Sequence, residues 1–424
     1  MNSRHERIIA FMCGLCGSQS GVEGCLWYSS NLMRVFVVGV GATGSLLVQL
    51  LTRQGHHVSC GDRDPIRAHD FLGESSKVAI QRVNARTLQS VVTAAKGCQL
   101  LINACPTVLN NILMRAALRV GAHYLDTASH LRASPFRPEQ FSFNRQFLEK
   151  GRWALIHAGV APGLTNLFAA QAAAELDESD KAEIRIFEDT ASEDPVSQWS
   201  AESSFDEAVS RPRVYRDGRF SFGTRFGERE RFRFPPPIGL VGVVLAAQDE
   251  VTTLPRFLCF KSVDAKIGGT DMERLRRWYR QGKLTRSRGL SSVRFPETAT
   301  PRMMIKLVRR GILHNARFAV AVLVYGYKRG RPYLVRWDAR FPTLYELRRR
   351  KSTYAPIAWS TAHLTALFVK SMPRKLVGVH VPESLPATTR RNILQAVRLS
   401  GIRLKLRIIR LTPADEAEFS KSSL

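Results

Sequence analysis

Residues 34–51 read Arg-Val-Phe-Val-Val-Gly-Val-Gly-Ala-Thr-Gly-Ser-Leu-Leu-Val-Gln-Leu-Leu, and this stretch decides the fold. The apolar run after Arg34 has the pattern of a strand that is buried on both faces of a parallel sheet. From Ser45 onward the apolar residues recur at helical spacing, and a second strand, His57 to Cys60, follows. The stretch therefore predicts a βαβ unit whose two strands are parallel neighbours.

The glycines of this stretch form a G-x-G-x-x-G turn, and each has a physical role in binding a dinucleotide. Gly39 permits the tight turn, Gly41 lets the backbone approach a pyrophosphate, and Gly44 lets helix and strand pack closely. The pyrophosphate would lie on the helix N-terminus, at Ala42 and Thr43, where unpaired amides favour negative charge. The alternative is a structural turn in a domain that has lost its ligand.

The choice between NAD and NADP rests on residues after the second strand. Asp62, eighteen residues past Gly44, can accept hydrogen bonds from both ribose hydroxyls of NAD, and its charge repels a 2′-phosphate. Arg63 can instead bind that phosphate through its planar guanidinium group. Both nucleotides stay open, with a lean to NADP because Arg67 adds a second positive charge.

Further strands and helices alternate after this unit. Leu100 to Ala104, His123 to Asp126 and Trp153 to His157 have the composition of buried strands, and Asn111 to Val120 has that of a helix. Alternation on this scale predicts a doubly wound α/β domain of the Rossmann type. Ligands of such domains bind at the carboxyl ends of the strands.

Two of these strand ends carry candidate site residues. Ala104 ends one strand, Cys105 and Pro106 follow it, and all three are predicted to contact the cofactor. Cys105 is interpreted as a packing residue, because no activating base is identifiable nearby in the sequence. Asp126 ends the next strand and is the one catalytic candidate, as a substrate or proton-transfer residue; the alternative is a helix cap or a structural hydrogen-bond acceptor.

Beyond Glu175 the pattern is typical of antiparallel strands. Residues 318–327 and 332–337 flank a Lys-Arg-Gly-Arg turn, which predicts an antiparallel hairpin. Residues 183–187 predict another strand, whereas residues 195–242, rich in Gly, Ser and Pro, are expected to be largely loop. The predicted fold class is α/β, with a Rossmann domain and a second, α+β domain whose sheet is mostly antiparallel.

A chain of 424 residues predicts more than one domain. The predicted division is a leader at 1–32, a Rossmann domain at 33–160, an α+β domain at 161–355 and a C-terminal segment at 356–424. The leader is expected to be disordered or an annotation artefact, with the folded chain beginning near Met33. No run reaches the ~18 apolar residues of a membrane-spanning helix, so a cytoplasmic protein without a membrane span is predicted.

The cysteines predict neither a disulfide framework nor a metal site. The seven cysteines have irregular spacing. Cys13, Cys16 and Cys25 begin a pattern of the zinc-binding type, but no second pair follows, and a structural zinc site needs four ligands.

Positive charge is concentrated in the last third of the chain. The formal net charge is +27, and residues 271–424 carry 33 Lys and Arg against 9 Asp and Glu. Such a region can attract nucleic acid, anionic lipid or a phosphorylated small molecule, or it can be Arg-rich solvated surface. If the positive charge lines a cleft between the domains, it would indicate an acidic substrate. If it lies on the outer surface, it would indicate a binding partner or merely an Arg-rich composition.

Residues 348–351, Arg-Arg-Arg-Lys, are the best local candidate for nucleic-acid binding, since Tyr345 and Tyr354 flank them and can stack on bases. Leu344 and Leu347 give the same run an amphipathic helical pattern. A solvated helix face is therefore favoured over a nucleic-acid site.

The order and spacing of ten segments resemble the saccharopine dehydrogenase (saccharopine reductase) family across residues 34–410. Five lie in the Rossmann part: Val38–Gly44, Asp62–Asp64, Leu101–Pro106, Tyr124–Ser129 and Ala158–Asn166. Five lie beyond it: Gln198–Ser200, Val214–Gly218, Phe234–Gly239, Thr253–Arg256 and Leu376–Glu383.

The resemblance implies a Rossmann domain whose sheet is completed by the C-terminal segment, with an inserted α+β domain for substrate binding and dimerisation. It implies NADP- or NAD-dependent chemistry on a secondary amine or imine that joins two amino-acid-like halves. The expected partners are a small amino-acid-like or polyamine-conjugate substrate and a second copy of the chain, as a homodimer.

Substrate contacts are expected in turns that follow the strands. The Pro-Gly turn entering a helix is suited to a substrate carboxylate, because the helix N-terminus offers backbone amides; a plain turn between domains is the alternative. The predicted substrate-binding residues are Thr127, Ser129, Pro162, Gly163 and Asn166.

The sequence departs from the family at one motif. Family members often have His-x-Glu ahead of the Thr-Leu-Pro-Arg run, where this chain has Gln248, Asp249 and Glu250. Glutamine cannot exchange a proton near neutral pH as histidine can. Besides an oxidoreductase, the sequence therefore leaves open a catalytically inactive NAD(P)-binding sensor or scaffold, and a nucleic-acid- or membrane-binding protein.

Overall fold

The computed structural model of the chain describes residues 32–73, 76–200, 209–283 and 297–412, together with Asp206 and Asp415. The predicted leader, apart from Leu32, lies outside these residues. Its cysteines lie outside them as well.

In the described part of the chain, seven parallel strands form a first sheet. They are β1 (Arg34–Val38), β2 (His57–Asp62), β3 (Ile80–Arg82), β4 (Leu100–Asn103), β5 (His123–Leu125), β6 (Trp153–Leu155) and β15 (Gly378–His380). Their order across the sheet is β15-β6-β5-β4-β1-β2-β3. The predicted βαβ unit is confirmed, because β1 and β2 are parallel neighbours.

Helices cover both faces of this sheet, because successive strand side chains point to opposite faces. Phe36 and Val38 of β1 belong to one buried cluster, and Val35 and Val37 belong to the other. The covering helices are α1 (Ala42–Arg53), α2 (Pro65–Leu72), α3 (Leu88–Ala94), α4 (Asn110–Val120), α5 (Asn144–Glu149) and α6 (Leu164–Ala173).

The second sheet has nine strands among the described residues and is mostly antiparallel, as predicted. They are β7 (Glu178–Ser192), β8 (Arg213–Arg216), β9 (Arg219–Phe222), β10 (Glu230–Phe234), β11 (Gly239–Leu245), β12 (Ser262–Gly268), β13 (Leu313–Lys328), β14 (Arg331–Arg340) and β16 (Arg403–Arg410). The main path is β10-β11-β12-β7-β13-β14-β16, and only β7 and β12 pair in parallel along it. The predicted hairpin is confirmed, with Arg329 and Gly330 as the turn between β13 and β14.

The expectation that residues 195–242 are largely loop holds only in part, because it missed four strands. Four strands, β8 to β11, lie wholly or partly in this stretch. The Pro and Gly residues form the turns between these strands: Asp217 and Gly218 connect β8 to β9, and residues 235–238 connect β10 to β11. Strand β10 alternates Arg231 and Arg233 with the buried Phe232 and Phe234, which is the two-residue period of a half-buried strand.

The C-terminal segment, expected to return to the first sheet, divides between the two sheets. Strand β15 pairs with β6 in the first sheet, whereas β16 pairs with β14 in the second. Strand β16 alternates basic and apolar residues, a pattern that suits a partly exposed edge strand better than a buried parallel strand. The remaining helices are α7 (Glu250–Phe257), α8 (Thr270–Arg280), α9 (Pro301–Arg309), α10 (Leu344–Arg349), α11 (Pro356–Ser371) and α12 (Ala387–Leu399).

The basic run at 348–351 is a solvated helix end. Leu344 and Leu347 of α10 are buried, and the four basic residues are exposed. Tyr354 is buried and donates a hydrogen bond from its hydroxyl to the Phe71 carbonyl at 3.1 Å, so it cannot stack on a base as a nucleic-acid site would require. In the described residues, no helix combines the length and apolar character needed to cross a bilayer.

Candidate active site

The glycine turn between β1 and α1 is shaped by two close contacts. Gly39 has φ +95°, and a Cβ there would lie 2.8 Å from the Ala104 carbonyl oxygen and 2.8 Å from Cys105 Sγ. A Cβ on Gly44 would lie 2.0 Å from the Gly39 carbonyl oxygen. A Cβ on Gly41, by contrast, would meet no atom within 4 Å. The backbone at Gly41 is thus open to a ligand, which fits the approach of a dinucleotide pyrophosphate.

Asp62 connects the end of β2 to this turn. Its Oδ2 accepts a hydrogen bond from the Val40 amide at 2.8 Å, and its Oδ1 accepts one from the Asp64 amide at 3.0 Å. Arg63 is exposed beside it, and Arg82 at the end of β3 donates from Nη1 to the Arg63 carbonyl at 3.2 Å. Two guanidinium groups therefore lie at the ends of neighbouring strands, where the adenosine ribose of a Rossmann ligand binds.

Arg67 is directed elsewhere. Its Nη1 is 2.8 Å from Glu297 Oε2, and its Nη2 donates to the Thr298 carbonyl at 3.2 Å. The lean to NADP therefore no longer rests on Arg67.

A buried hydrogen-bond network fixes the ends of β4 and β5. The Asn103 side chain accepts a hydrogen bond from the Cys105 amide at 2.9 Å and donates to Asn110 Oδ1 at 2.8 Å and the Tyr124 hydroxyl at 3.1 Å. Ala104, Cys105 and Pro106 are half-buried against the glycine turn.

Asp126, the predicted catalytic candidate, is buried within this network. Its Oδ2 accepts hydrogen bonds from the Tyr124 hydroxyl at 3.0 Å and from Gln140 Nε2 at 3.1 Å. Its Oδ1 accepts one from the His157 amide at 3.3 Å. Burial raises the pKa of Asp126 to about 7, so its carboxyl can carry a proton near neutral pH.

Ser129, His157 and Asp249 meet beyond the ends of β5 and β6. The Ser129 amide donates to Asp249 Oδ2 at 2.7 Å, and the Ser129 hydroxyl is hydrogen-bonded to His157 Nε2. His157 Nε2 lies 4.0 Å from Asp249 Oδ2. His157 is fully buried, which lowers its pKa to about 3, so the ring is neutral. Its Nδ1 has no hydrogen-bond partner among the described residues.

Asp249 is the third member of this group, and the pKa of its carboxyl is raised. Burial raises its pKa, while Arg213 and the Ser129 amide act in the opposite direction. Arg213 is itself anchored by a hydrogen bond from its Nε to the Pro135 carbonyl. The cluster of Ser129, His157 and Asp249, named here the SHD cluster, thus combines a hydroxyl with an acid that can exchange a proton.

Two more carboxyl groups are buried behind the SHD cluster. Glu250 Oε1 accepts a hydrogen bond from the Thr165 hydroxyl at 2.7 Å, and Glu383 Oε2 accepts one from Asn166 Nδ2 at 3.0 Å. Burial raises the pKa of each to about 7. The second oxygen of each carboxyl has no partner among the described residues. Both groups therefore hold a proton over part of the neutral pH range.

The five predicted substrate residues occupy different environments. Ser129 lies in the SHD cluster, and Thr127 is half-buried at the same strand end. Pro162, Gly163 and Asn166 are buried. Asn166 Oδ1 accepts a hydrogen bond from the Gly163 amide at 2.8 Å and so caps α6, while its Nδ2 holds Glu383.

The sequence did not identify His157, Asp249, Glu250 or Glu383 as a group. His157 offered one usable signal, because it follows β6 as Asp126 follows β5, at the edge where ligands bind. The other three are brought in by α7 and by the turn after β15, from parts of the chain far from β5 and β6. Among the described residues, no three His, Cys, Asp or Glu are placed to hold a metal ion.

The chain matches known proteins in sequence. Residues 35–155 match the family described as saccharopine dehydrogenase NADP binding domain. Carboxyaminopropylagmatine dehydrogenase of Synechocystis sp. is 30% identical over 156 residues, which cover 33% of this chain and 38% of that protein. Carboxynorspermidine synthase of Vibrio alginolyticus is 28% identical over 224 residues, which cover 48% of this chain and 52% of that protein. The matched region spans about half or less of these relatives.

The chain also matches a solved structure. The apo saccharopine dehydrogenase (L-Glu forming) from Saccharomyces cerevisiae aligns with a TM-score of 0.64 over 89% of this chain and 100% of that chain, at 11% identity. At 11% sequence identity, this match shows similarity of fold alone. The family match confirms the predicted resemblance and the NAD(P) cofactor, and the structural match confirms the predicted fold class.

Proposed function

From the match of residues 35–155 to the saccharopine dehydrogenase NADP binding domain, we propose that the protein is an NADP-dependent oxidoreductase acting on the secondary amine or imine of an amino-acid or polyamine conjugate. One observation carries the proposal. The open glycine turn and the SHD cluster lie at the same carboxyl edge of the first sheet, so a dinucleotide and a proton-exchanging acid are brought together. The names of the two curated relatives, which denote carboxylated polyamine conjugates, support this substrate class.

The residues of the turn fit a dinucleotide. The open backbone at Gly41 and the amides at the start of α1, at Ala42 and Thr43, would hold the pyrophosphate. Arg63 and Arg82 would bind a 2′-phosphate and so favour NADP, since guanidinium groups pair well with phosphate. When bound, the nicotinamide supplies or accepts a hydride at the carbon beside the nitrogen.

The SHD cluster would move the accompanying proton. Imine reduction requires a proton at nitrogen, and amine oxidation must remove one. We assign this proton to Asp249, with the Ser129 hydroxyl as its neighbour towards the substrate. Because His157 is neutral, it acts as a hydrogen-bond partner that fixes the Ser129 hydroxyl rather than as a cation.

This assignment removes the difficulty raised by Gln248. The glutamine cannot exchange a proton, but the next residue, Asp249, contacts Ser129 directly. An acid is therefore present in the motif even though the histidine of the family is not.

The second copy in a homodimer remains a proposal from the resemblance. The edge strand β16 supports it, because Ile408 and Ile409 are 44% and 40% exposed there. Unpaired edge strands with exposed apolar residues favour association with another chain. Light scattering coupled to size-exclusion chromatography distinguishes a dimer from a monomer.

The test of the function is consumption of NADPH in the presence of a primary amine and a carbonyl compound. The amines are lysine and 1,3-diaminopropane, each offered with 2-oxoglutarate or with an amino-acid semialdehyde, and the product is identified by mass spectrometry. The proposal expects a new secondary amine for at least one pair. Thermal stabilisation by NADPH without any such product would instead support an inactive NAD(P)-binding protein.

A further inference from the structure

Arg213 is the first residue of β8 and is buried where three segments meet. Strand β8 packs against α7, the helix that begins directly after Asp249. The Nε of Arg213 donates a hydrogen bond to the carbonyl of Pro135, which lies in the loop that follows Ser129. Arg213 is therefore fixed close to both segments that supply the acid and the hydroxyl of the SHD cluster.

Further contacts join the same loop, hairpin and helix. Arg256 of α7 donates from Nη2 to the Phe136 carbonyl at 3.1 Å. The Phe136 ring packs against Phe220 and Phe222 of β9, with ring centroids 5.7 and 4.8 Å apart. Phe222 lies opposite Arg213 in the pairing of β8 with β9. Because these segments hold one another, the position of Arg213 does not depend on its own hydrogen bond alone.

Two donor groups of this arginine are unused. Among the described residues, its Nη1 and Nη2 have no hydrogen-bond partner, and no carboxylate lies within 4.0 Å of the guanidinium group. The buried polar atoms of these residues that lack a partner do not include Nη1 and Nη2, so both groups reach accessible space. A guanidinium group keeps its charge near neutral pH, and a buried charge without a partner is costly. The site therefore favours an anionic ligand.

Asp249 is near Arg213 but does not pair with it directly. The positive charge of Arg213 opposes the rise in the pKa of Asp249 that burial causes. The carboxyl of Asp249 nevertheless lies beyond ion-pair distance, and its Oδ2 accepts the hydrogen bond from the Ser129 amide. In the proposed mechanism Asp249 takes up and releases a proton, so it is not a permanent counterion. A ligand is needed to supply one.

The unused groups have the geometry that recognises a carboxylate. With Nε bound to the Pro135 carbonyl, the Nη1 and Nη2 groups present two parallel N–H donors, and a carboxylate can accept both at once. The phosphates of the dinucleotide are assigned to the glycine turn and to Arg63 and Arg82, at the ends of other strands. The anion that remains for Arg213 is a carboxylate of the substrate.

The start of α6, the other site considered for a substrate carboxylate, has already used its first amides. The Gly163 amide donates to Asn166 Oδ1 at 2.8 Å. The next two amides donate to backbone carbonyls at 3.2 and 3.0 Å. Donors that are satisfied within the protein gain little from a ligand, so Arg213 is better suited to the carboxylate than this helix end.

From these contacts we propose that Arg213 binds a carboxylate of the substrate through Nη1 and Nη2 and so places the reacting nitrogen beside Ser129 and Asp249. The inference rests on the proposed function and assigns to one residue the selection of its substrate. The amino-acid-like half of the conjugate lies towards β8, and a conjugate without a carboxylate on that half is disfavoured. Arg213 lies outside the basic region 271–424, so this selection does not depend on that charge.

The test compares two amines that carry a carboxylate or a carboxamide at the same position, N-propylglycine and N-propylglycinamide, in the wild type and in Arg213→Gln. Binding of each amine to the protein saturated with NADP⁺ is measured by calorimetry, and KM is measured wherever turnover occurs. We expect the wild type to bind the carboxylate about tenfold more tightly. Arg213→Gln should remove this preference by weakening N-propylglycine, and should change N-propylglycinamide less than twofold.

Two further variants complete the test. Arg216→Gln is the matched control, because Arg216 lies on the same strand but is paired with Glu228 at 2.5 Å, and it should change the binding of neither amine. Arg213→Lys keeps the charge but lacks the two parallel donors, so it should retain only part of the preference. Unchanged NADPH affinity and unfolding temperature show that a variant is folded. If Arg213→Gln does not fold, Arg213→Lys decides, since a full wild-type preference in that variant would contradict recognition by the paired donors.

The outcomes separate this inference from the proposed function. A wild type that does not prefer the carboxylate, or an equal loss for both amines in Arg213→Gln, contradicts the role of Arg213 even if the enzyme turns over. Selective loss of N-propylglycine binding without turnover of any amine supports the carboxylate site and contradicts the oxidoreductase instead.

Discussion

The two sheets bury acidic side chains in opposite ways. At the carboxyl edge of the first sheet, Asp126, Glu250 and Glu383 are buried with hydroxyl, amide or carboxamide donors, and burial raises the pKa of each to about 7. On the second sheet, Glu183 is half-buried, and Arg185 and Lys181 lower its pKa. The first arrangement keeps protons available near neutral pH, and the second keeps a permanent charge.

The ion pairs of the second sheet form a closed network. Arg185 contacts Glu183 at 3.3 Å, Glu230 at 2.5 Å and Asp264, and Lys266 contacts Glu230 at 2.6 Å. Every cation there has an acid. The comparison teaches that buried acids that form ion pairs with Lys or Arg are structural in this molecule, and that the candidates for chemistry are the buried acids for which the described residues show no such ion pair.

The basic surplus of residues 271–424 follows the same division. Less exposed arginines of this region are paired with acids, as Arg274 is with Asp271 and Arg317 with Asp189. Many others are exposed, including Arg302 of α9, Arg348 of α10 and Arg403 of β16. Of the two readings of this charge, the arrangement favours outer surface over an acidic substrate.

Substitution of Asp249 is expected to have the largest effect, and it tests whether the acids at the edge of the first sheet take part in the chemistry. Asp249→Asn keeps an oxygen that can accept the Ser129 amide but cannot exchange a proton. Because general acid–base groups contribute about 10²–10⁴-fold, we expect kcat to fall on the order of 10³-fold while the Kd for NADPH stays within twofold. Steady-state kinetics and fluorescence titration measure the two quantities. Ser129→Ala should lower kcat in the same direction, and a wild-type kcat in Asp249→Asn would show that the SHD cluster is not the proton source.

The glycine turn offers a pair of matched variants. Gly41→Ala adds a methyl group in open space, so the fold should be retained, but the methyl occupies the path of the pyrophosphate. We expect NADPH binding to weaken on the order of 100-fold, with an unchanged unfolding temperature. Gly44→Ala should lose both stability and binding, because its Cβ would lie 2.0 Å from a carbonyl oxygen. Equal behaviour of the two variants would contradict a ligand site at Gly41.

Replacing the two kinds of acid by glutamine should change the free energy of unfolding in opposite directions. The pKa of Glu250 is raised from 4.5 to about 7 in the folded protein, so the unfolded chain ionises first and this group reduces stability as pH rises between those values. Glu250→Gln removes that cost, and the variant should gain on the order of 2 kcal/mol relative to the wild type between pH 5 and pH 8. Urea unfolding at both pH values measures the gain.

Glu183→Gln is the matched variant in the second sheet. The pKa of Glu183 is lowered, so its contribution is present above its ordinary pKa and is lost only as pH falls through the lowered value. The variant should therefore be less stable than the wild type at both pH 5 and pH 8. The same pH response in the two variants would remove the distinction between the sheets.

The smallest expected effect concerns the cofactor preference. Arg63→Ala and Arg82→Ala should each weaken NADPH binding about tenfold and leave NADH binding unchanged, since each removes one charge-assisted contact to the 2′-phosphate. Arg67→Ala is the control, because Arg67 is paired with Glu297. Equal losses for NADPH and NADH would contradict the assignment of the two arginines.

The cofactor half was accessible to sequence reasoning because its determinants are local. The strand, the glycine turn and the helix occupy one stretch of the chain, and Asp62 follows after one more strand. The hydrogen bond from Val40 to Asp62 is a consequence of that short βαβ geometry. Local periodicity and turn chemistry are the signals that a single sequence carries.

The rest of the site could not be predicted in this way, because its contacts join distant segments. Ser129 meets Asp249 and Asn166 meets Glu383 only after the second sheet and the C-terminal segment have packed against the first. The strands between 195 and 242 were missed for a different reason: their Pro and Gly turns outweighed short alternating patterns such as that of β10. A contact between residues that are far apart in the sequence produces no periodic pattern around either residue.

The central claim, that the first sheet brings a hydride and a proton to one carbon–nitrogen bond, is tested most directly by isotope transfer. NADPH carrying deuterium at the transferable position of the nicotinamide is incubated with the protein, 1,3-diaminopropane and an amino-acid semialdehyde, and the product is examined by mass spectrometry. The account predicts a secondary amine that contains one deuterium on the carbon beside nitrogen. Saturable NADPH binding with no deuterated amine from this pair or from the lysine pairs would contradict it.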